Sequence, residues 1–567
     1  MGSSTTEPGK GKEKKRVAII GAGLSGLVAC KECLAEGAEE GGVEITVDVF
    51  EARPEIGGQW AYQAEPDPAT GELHSSMYDG VVMNSCRDTT GFSDFPVDPA
   101  RHGDYFTHWQ MHQYLVEYAD HFNLHPHIRL STKVLRCVPD KSSNGSGDDE
   151  REDDDEQDST TWTVAFQGPD DKQPQECVYD AVISAIGYNT IPLVPEFKGL
   201  KENFRGEFLH GHYYRRPGRF EGQRVAIIGA GSSALDMACE LAPGCREVHL
   251  VTRRGTWVIP RYVLGQPVEA WDNRATQIWM PARVSEWLQQ KLLDLVQGPH
   301  PDALKPNHRL MQQNPTIRSE FLERVRNGQV HVHRADVEGF ESGNSLVLTD
   351  GTRLENLDAV IACTGYDRVQ PHLPADVFHG EASTRHDDYP EWAPDDGGIF
   401  VHKMVVPLRY RNLYFVGLSE QAGPAPPAAE ACARYAVGAI AGHHAPPTGV
   451  TLKRAIRAEQ HWRRANYVAS TRHTNSETYV PFIDGLVAPL GANPTFGRLL
   501  FGGGGGLGGL FTRLRTLSSV YFDVCSSAQW RLCGRGAKPE LAMETILRTA
   551  RGEKEFSKRE KELLGLK

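Results

Sequence analysis

Arg16-Val-Ala-Ile-Ile-Gly-Ala-Gly23 recurs residue for residue as Arg224-Val-Ala-Ile-Ile-Gly-Ala-Gly231. Each copy is a short apolar run of the kind that forms a buried parallel strand, and each breaks into glycines where a helix should begin. One such strand–turn–helix holds one dinucleotide. Two of them imply a protein that holds two nucleotides, a flavoprotein fed by a nicotinamide cofactor.

The first copy continues as Gly21-Ala22-Gly23-Leu24-Ser25-Gly26, a full G-x-G-x-x-G. Gly21 permits the tight turn, Gly23 lets the backbone approach a pyrophosphate, and Gly26 lets the helix pack close to the strand. The helix N-terminus then offers N–H groups and a positive dipole end to the phosphates. Ile45-Thr-Val-Asp-Val-Phe-Glu51 supplies a second strand ending in an acid suited to ribose hydroxyls. Glu51 lies 30 residues past Gly21, and the polar stretch Glu36 to Glu44 accounts for the extra length as a loop. A solvated strand-end acid is the plainer reading of Glu51.

The second copy reads Gly229-Ala230-Gly231-Ser232-Ser233-Ala234, followed by Leu235 and Asp236, with alanine at a third position that tolerates it. Its next strand, Glu247 to Thr252, ends in Arg253-Arg254 where the first ends in an acid. Guanidinium forks suit a 2′-phosphate that a carboxylate would repel, so this site should prefer NADPH to NADH. Ser233 and Asp236 open the helix and are expected near the pyrophosphate. Two surface arginines at a strand end are the alternative.

A second repeat fixes the expected order of domains. Asp180-Ala-Val-Ile-Ser-Ala-Ile-Gly187-Tyr188 is echoed by Asp358-Ala-Val-Ile-Ala-Cys-Thr-Gly365-Tyr366, and the pair brackets the second glycine turn. The expected fold is α/β, with two Rossmann-like dinucleotide-binding domains and the NADPH domain inserted into a discontinuous FAD domain. Its divisions are a disordered N-terminus at 1–15, FAD-binding parts at 16–198 and 371–460, an NADPH-binding domain at 199–370 and a C-terminal extension at 461–567. Asn412-Leu-Tyr-Phe-Val-Gly417 is a further buried strand of the FAD domain.

Composition agrees. A chain of 567 residues with 40% hydrophobic content is too long for one domain. Net charge is −13, but Asp148 to Asp158 holds nine acids and one arginine. The remainder is close to neutral, which gives nucleic-acid binding no support. The stretch 142–158 reads as a solvated, disordered insert between two neighbouring strands, Thr132 to Val138 and Thr161 to Phe166. Eleven cysteines without a paired framework, and no signal peptide, point to a reducing interior. Cys30 and Cys33 have redox spacing but fall where both thiols should pack against the sheet. No apolar window is long enough to span a bilayer. The glycine-rich run Phe496 to Phe511 reads as a flexible loop with some affinity for a membrane surface. Among 22 histidines none has credible metal-ligand spacing, so no metal is expected; His331-Val-His333 reads as one strand face.

Before the second glycine turn stands Phe204-Arg-Gly206-Glu-Phe-Leu-His210-Gly-His-Tyr-Tyr214. This is similar to the F-x-G-x-x-x-H-x-x-x-Y/F signature of flavin-containing monooxygenases, and the chain resembles the animal branch of that family, of the dimethylaniline monooxygenase (N-oxide-forming) type. Related Baeyer–Villiger type I enzymes carry tryptophan where Tyr214 stands. Other similar blocks are Glu55-Ile-Gly-Gly-Gln-Trp60, Val82-Met-Asn84-Ser-Cys86, Phe92-Ser-Asp-Phe-Pro96, Ala429-Glu-Ala-Cys-Ala-Arg434 and Gln529-Trp-Arg-Leu-Cys-Gly534. The chain departs from the mammalian pattern in its Glu-Lys-Arg-rich tail, Arg551 to Lys567, and in the tract Gly502 to Gly509.

The resemblance implies that NADPH reduces FAD and that oxygen then adds to give a C4a-hydroperoxyflavin, which oxygenates soft nitrogen or sulfur nucleophiles. The alternatives are Baeyer–Villiger oxygenation of ketones and an uncoupled NADPH oxidase. Asn84 matches the family's active-site asparagine; its amide donates and accepts together. Met83 and Ser85 flank it and should meet cofactor through position, Gly58 and Gln59 should meet FAD, and Trp60 should pack beside it. His210 reads as structural. The expected partners are molecular oxygen and a small amine or sulfide. A homodimer and peripheral membrane association are further expectations, with an intracellular location, cytoplasmic or on the endoplasmic reticulum membrane.

Overall fold

The computed structural model describes residues 13–38, 43–68, 71–140, 161–378, 399–468, 470, 474–501 and 510–549. Two five-stranded parallel sheets organise it. In the first, the strands run in the order Leu413–Phe415, Ala181–Ser184, Lys14–Ile20, Glu44–Phe50 and Ile128–Arg129. Val17, Ala18 and Ile19 have no exposed surface, as a strand covered on both faces requires. The helix Leu24–Ala38 crosses to the second strand and packs on the helix Ala425–Ile440. Its Leu27 and Val28 are wholly buried, each contributing roughly 1.5–3 kcal/mol.

The second sheet runs Glu207–His210, Ala359–Ala362, Arg224–Ile228, Glu247–Val251 and His331–His333. In sequence it lies between two strands of the first, Ala181–Ser184 and Leu413–Phe415. The outgoing and returning chains run side by side as an antiparallel ribbon, Ile191–Pro192 against Tyr366–Asp367.

The repeats match at the level of single hydrogen bonds. Gly21 N–H donates to Phe50 O at 2.7 Å, and Gly229 N–H to Val251 O at 2.9 Å. Asp180 and Asp358 each accept the backbone N–H of the repeat's arginine on the neighbouring strand, Arg16 at 2.7 Å and Arg224 at 2.8 Å.

The first strand begins at Lys14, inside the stretch 1–15 expected to be disordered. The ladder explains the correction: Lys14 and Lys15 pair with Glu44 and Ile45, and Lys15 Nζ donates to Ile440 O at 2.9 Å. The strands Lys133–Pro139 and Trp162–Gln167 pair antiparallel, while the acidic insert between them lies outside the described residues, as do 502–509 and 551–567. Cys30 and Cys33 are buried, and burial pushes the Cys30 thiol up to about 12. The C-terminal segment folds back on the first unit, with the helix Tyr479–Val487 against Ala425–Ile440.

Candidate active site

Backbone geometry forces glycine at the turns. Gly21 has φ +99° and Gly229 φ +117°, a region other residues rarely adopt. A Cβ on Gly229 would stand 2.4 Å from Cys363 O, and one on Gly26 would stand 1.8 Å from Gly21 O. The i→i−4 bonds of the helices Leu24–Ala38 and Ser232–Leu241 begin with Leu27 N–H to Gly23 O at 3.0 Å and Leu235 N–H to Gly231 O at 3.1 Å, so the N–H groups of the first three residues of each helix precede that ladder. Both turns are therefore built to take a pyrophosphate, and the residues present fit two dinucleotides.

A cavity of about 1880 Å³ lies between the two units. Of the residues singled out from sequence, Trp60, Met83, Asn84, Gly229, Gly231, Ser232, Ser233, Ala234, Asp236, Arg253 and Arg254 line it. Gly21, Ala22, Gly23, Leu24, Ser25, Gly26, Glu51, Gly58, Gln59, Ser85 and Leu235 are not on that wall. The first turn is instead met by the segment after the second strand. Gly57 N–H donates to Ala22 O at 2.9 Å, and a Cβ on Gly58 would come within 2.9 Å of Gly23 Cα.

Glu51 is not the solvated acid of the plainer reading. It is buried, and its two carboxylate oxygens accept from Ala22 N–H at 2.7 Å and Arg53 N–H at 3.0 Å. Burial raises its pKa against the pull of those two donors. Arg53 braces the same segment by donating to Gly58 O and Ala61 O, both at 2.8 Å. Gln59 accepts from Ser76 N–H and donates to Asn189 O, each at 2.9 Å. Ser85 Oγ is turned to Thr90 Oγ1 at 2.8 Å.

Asp236 lines the cavity, but its carboxylate is engaged elsewhere. It accepts from Tyr78 OH at 2.6 Å and from Arg318 at 3.2 Å, tying a loop of the first unit to the second unit's helix. Burial raises its pKa and Arg318 opposes that rise. Tyr78 and Arg318 carried no local signal, since they stand 158 and 82 residues from Asp236. His210 is buried, and burial pushes its pKa down to about 4, so the ring is neutral at physiological pH. Its Nδ1 accepts from His212 N–H at 3.1 Å. Among the described residues no group of three or more His, Cys, Asp or Glu could hold a metal ion.

Asn84 sits mid-strand in Val82–Cys86 with its side chain exposed on the cavity wall. Arg253 lies 3.7 Å from Asp336 and is largely exposed. Replacing Arg253 and Arg254 together by Ala should raise the NADPH KM by about 10- to 100-fold, the loss of one to two charge-assisted hydrogen bonds. Steady-state kinetics with NADH should change little, and equal effects on both cofactors would place the 2′-phosphate elsewhere.

Two dinucleotide turns on two parallel sheets, with a cavity between the units that the second turn lines, define a flavoprotein oxidoreductase with a nicotinamide partner. The sequence profile of the family described as Flavin-binding monooxygenase-like matches residues 14–562, and the chain belongs to that family. Flavin-containing monooxygenase 5 of Oryctolagus cuniculus is 29% identical, over 94% of this chain and 91% of its own length. Human flavin-containing monooxygenase 2 is also 29% identical, over 92% and 89%. Among solved structures, S-allyl-L-cysteine S-oxygenase from Allium sativum shares the fold at TM-score 0.59 and 21% identity, covering 96% of this chain and 99% of its own. Cyclohexanone monooxygenase from Rhodococcus sp. Phi1 bound to NADP+ does so at 0.54 and 17%, covering 84% and 97%. The protein is an FAD-dependent monooxygenase that uses NADPH.

Proposed function

We propose that this enzyme oxygenates nucleophilic nitrogen or sulfur in small molecules, with FAD on the first glycine turn and NADPH on the second. The observation that carries the reading is that Asn84 and the second glycine turn line one cavity between the units. Bound FAD, reduced by NADPH, supplies the oxygen-activating chemistry. The chain supplies binding and orientation. Gly21 to Gly26 cradle the FAD pyrophosphate, Glu51 accepts from the ribose, and Trp60 and Met83 wall the reaction space. Gly229, Gly231, Ser232, Ser233 and Ala234 hold the second pyrophosphate, and Arg253 and Arg254 hold the 2′-phosphate. Asn84 presents a donor and an acceptor together to groups held at the wall. The test is oxidation of a tertiary amine, a thioether and cyclohexanone under isotopically labelled oxygen. Labelled N-oxide or sulfoxide supports the reading. Labelled lactone alone would make it a ketone oxygenase, and peroxide without labelled product an oxidase.

We further propose that the enzyme associates peripherally with membranes. No described helix is long and apolar enough to cross one, but Trp279, Trp287 and Phe522 are 54%, 57% and 56% exposed. Trp279 stacks on Tyr521 at 4.7 Å, and the helix Ala282–Gln297 also exposes Val284 and Leu288 beside Arg283 and Lys291. Aromatic and aliphatic side chains flanked by cations suit a lipid interface. Co-sedimentation with anionic vesicles should fall about fivefold in Trp279→Ser/Trp287→Ser, as the buried apolar area is lost. Unchanged binding, or a concentration-dependent dimer dissociated by the same changes, would assign this face otherwise.

A further inference from the structure

The strand that carries Asn84 is barely held by its own ladder. Val82–Cys86 pairs with Tyr105–Thr107 only at Val82↔Thr107 and Cys86↔Tyr105, with an irregularity between, so Met83, Asn84 and Ser85 fall between the paired positions. The Thr89 and Thr90 hydroxyls donate to Cys86 O at 3.0 and 2.7 Å from within its own unit, and further grip comes from the other unit. Arg261 Nη2 donates to Val82 O at 3.2 Å and lies 3.5 Å from Asn84 Oδ1. Glu269 accepts from Cys86 N–H at 2.9 Å. Tyr105 OH lies 2.6 Å from Arg261 O and 3.1 Å from Glu269 Oε2, and the guanidinium carbon sits 5.7 Å from the Tyr105 ring. Arg261 and Glu269 flank a tight hairpin, Tyr262–Val263 against Gln266–Pro267. Its turn residues Leu264 and Gly265 have φ 51° and 78°, the left-handed pair that a two-residue hairpin needs.

We propose that Arg261 and Glu269 are positioning residues that fix Asn84 at the cavity wall and tie its placement to the seating of the nicotinamide-binding unit. Neither residue lines the cavity; both act through the strand, one at each end of it. The inference rests on the reading of Asn84 as the acting side chain. Its consequence is that an enzyme whose second unit is displaced still accepts electrons but no longer presents Asn84 correctly.

The test is a double-mutant cycle on FAD-loaded protein, with product formed per NADPH as the readout. Arg261→Met should lower that ratio about fivefold, while the rate at which NADPH bleaches the flavin falls far less. Asn84→Ala/Arg261→Met should then be no worse than Asn84→Ala, because residues acting as one unit are not additive. Arg261→Lys should recover part of the loss. If Arg261→Met does not fold, Tyr105→Phe removes only the hydroxyl shared by both grips and carries the same test. Full coupling in Arg261→Met and Tyr105→Phe would overturn the clamp, as would losses that multiply in the double variant. Full coupling in Asn84→Ala would instead sink the reading of Asn84, and the clamp with it.

Discussion

Asn84→Ala should retain the fold and the bound flavin yet lose product per NADPH consumed by about 100-fold, with peroxide released in its place. The size follows from removing one preorganised polar group from a reaction centre, which elsewhere costs roughly 2.7–4 kcal/mol. Stability should hardly change, because the Asn84 side chain is exposed on the wall and removing it opens no core cavity. Asn84→Asp sharpens the test. It keeps shape and acceptor, removes the N–H donor and adds a negative charge, so recovery in Asp would mean that acceptance alone suffices. NADPH oxidation, peroxide and product should be measured on the same sample. An Asn84→Ala enzyme with unimpaired product yield would end its assignment.

What could be read from sequence was chemistry that lies close together along the chain. A glycine turn is a matter of six residues, and φ at Gly21 or Gly229 follows from the turn itself. The repeated Asp-Ala-Val-Ile segments were legible for the same reason, since each strand carries its own apolar pattern. What escaped was the engagement of side chains with partners far along the chain. Asp236 stands at a helix start that suits a phosphate neighbour, yet Tyr78 and Arg318 take its carboxylate. Nothing near Arg261 announces that it reaches back 177 residues to Asn84. The N-terminal boundary failed differently: a lysine-rich segment reads as solvated, but ladder bonds are made by backbone and do not depend on side-chain polarity.

The blocks Phe92-Ser-Asp-Phe-Pro96, Ala429 to Arg434 and Gln529 to Gly534 resembled the family without showing what they do; in the fold they converge. Arg531, 2% exposed, donates through Nε to Ser93 Oγ at 2.8 Å and through Nη2 to Glu430 at 2.6 Å, and also bonds Glu32. Lys31 bonds Asp94, and Lys538 reaches the same carboxylate at 3.1 Å. The cluster fastens the C-terminal segment to the first glycine-turn helix. Arg531→Met should therefore destabilise the protein by about 3–5 kcal/mol, because it leaves buried carboxylates uncompensated. That is a large part of the roughly 5–15 kcal/mol by which domains are stable. Scanning calorimetry or flavin release on heating would measure it. Arg531→Met/Glu430→Gln should recover part of the loss, since the second change removes one stranded charge. The pH dependence follows from the carboxylates. Burial pushes Glu32 up, but Arg531 and Lys31 overcome it and hold Glu32 down from 4.5 to about 2. A depressed carboxylate contributes its stabilisation fully above its ordinary value and loses it as pH falls toward the folded one. The gap in unfolding temperature between wild type and Arg531→Met should therefore be widest near neutral pH and narrow between pH 4.5 and about 2. A gap constant across that range would show that Arg531 acts by packing and not by charge.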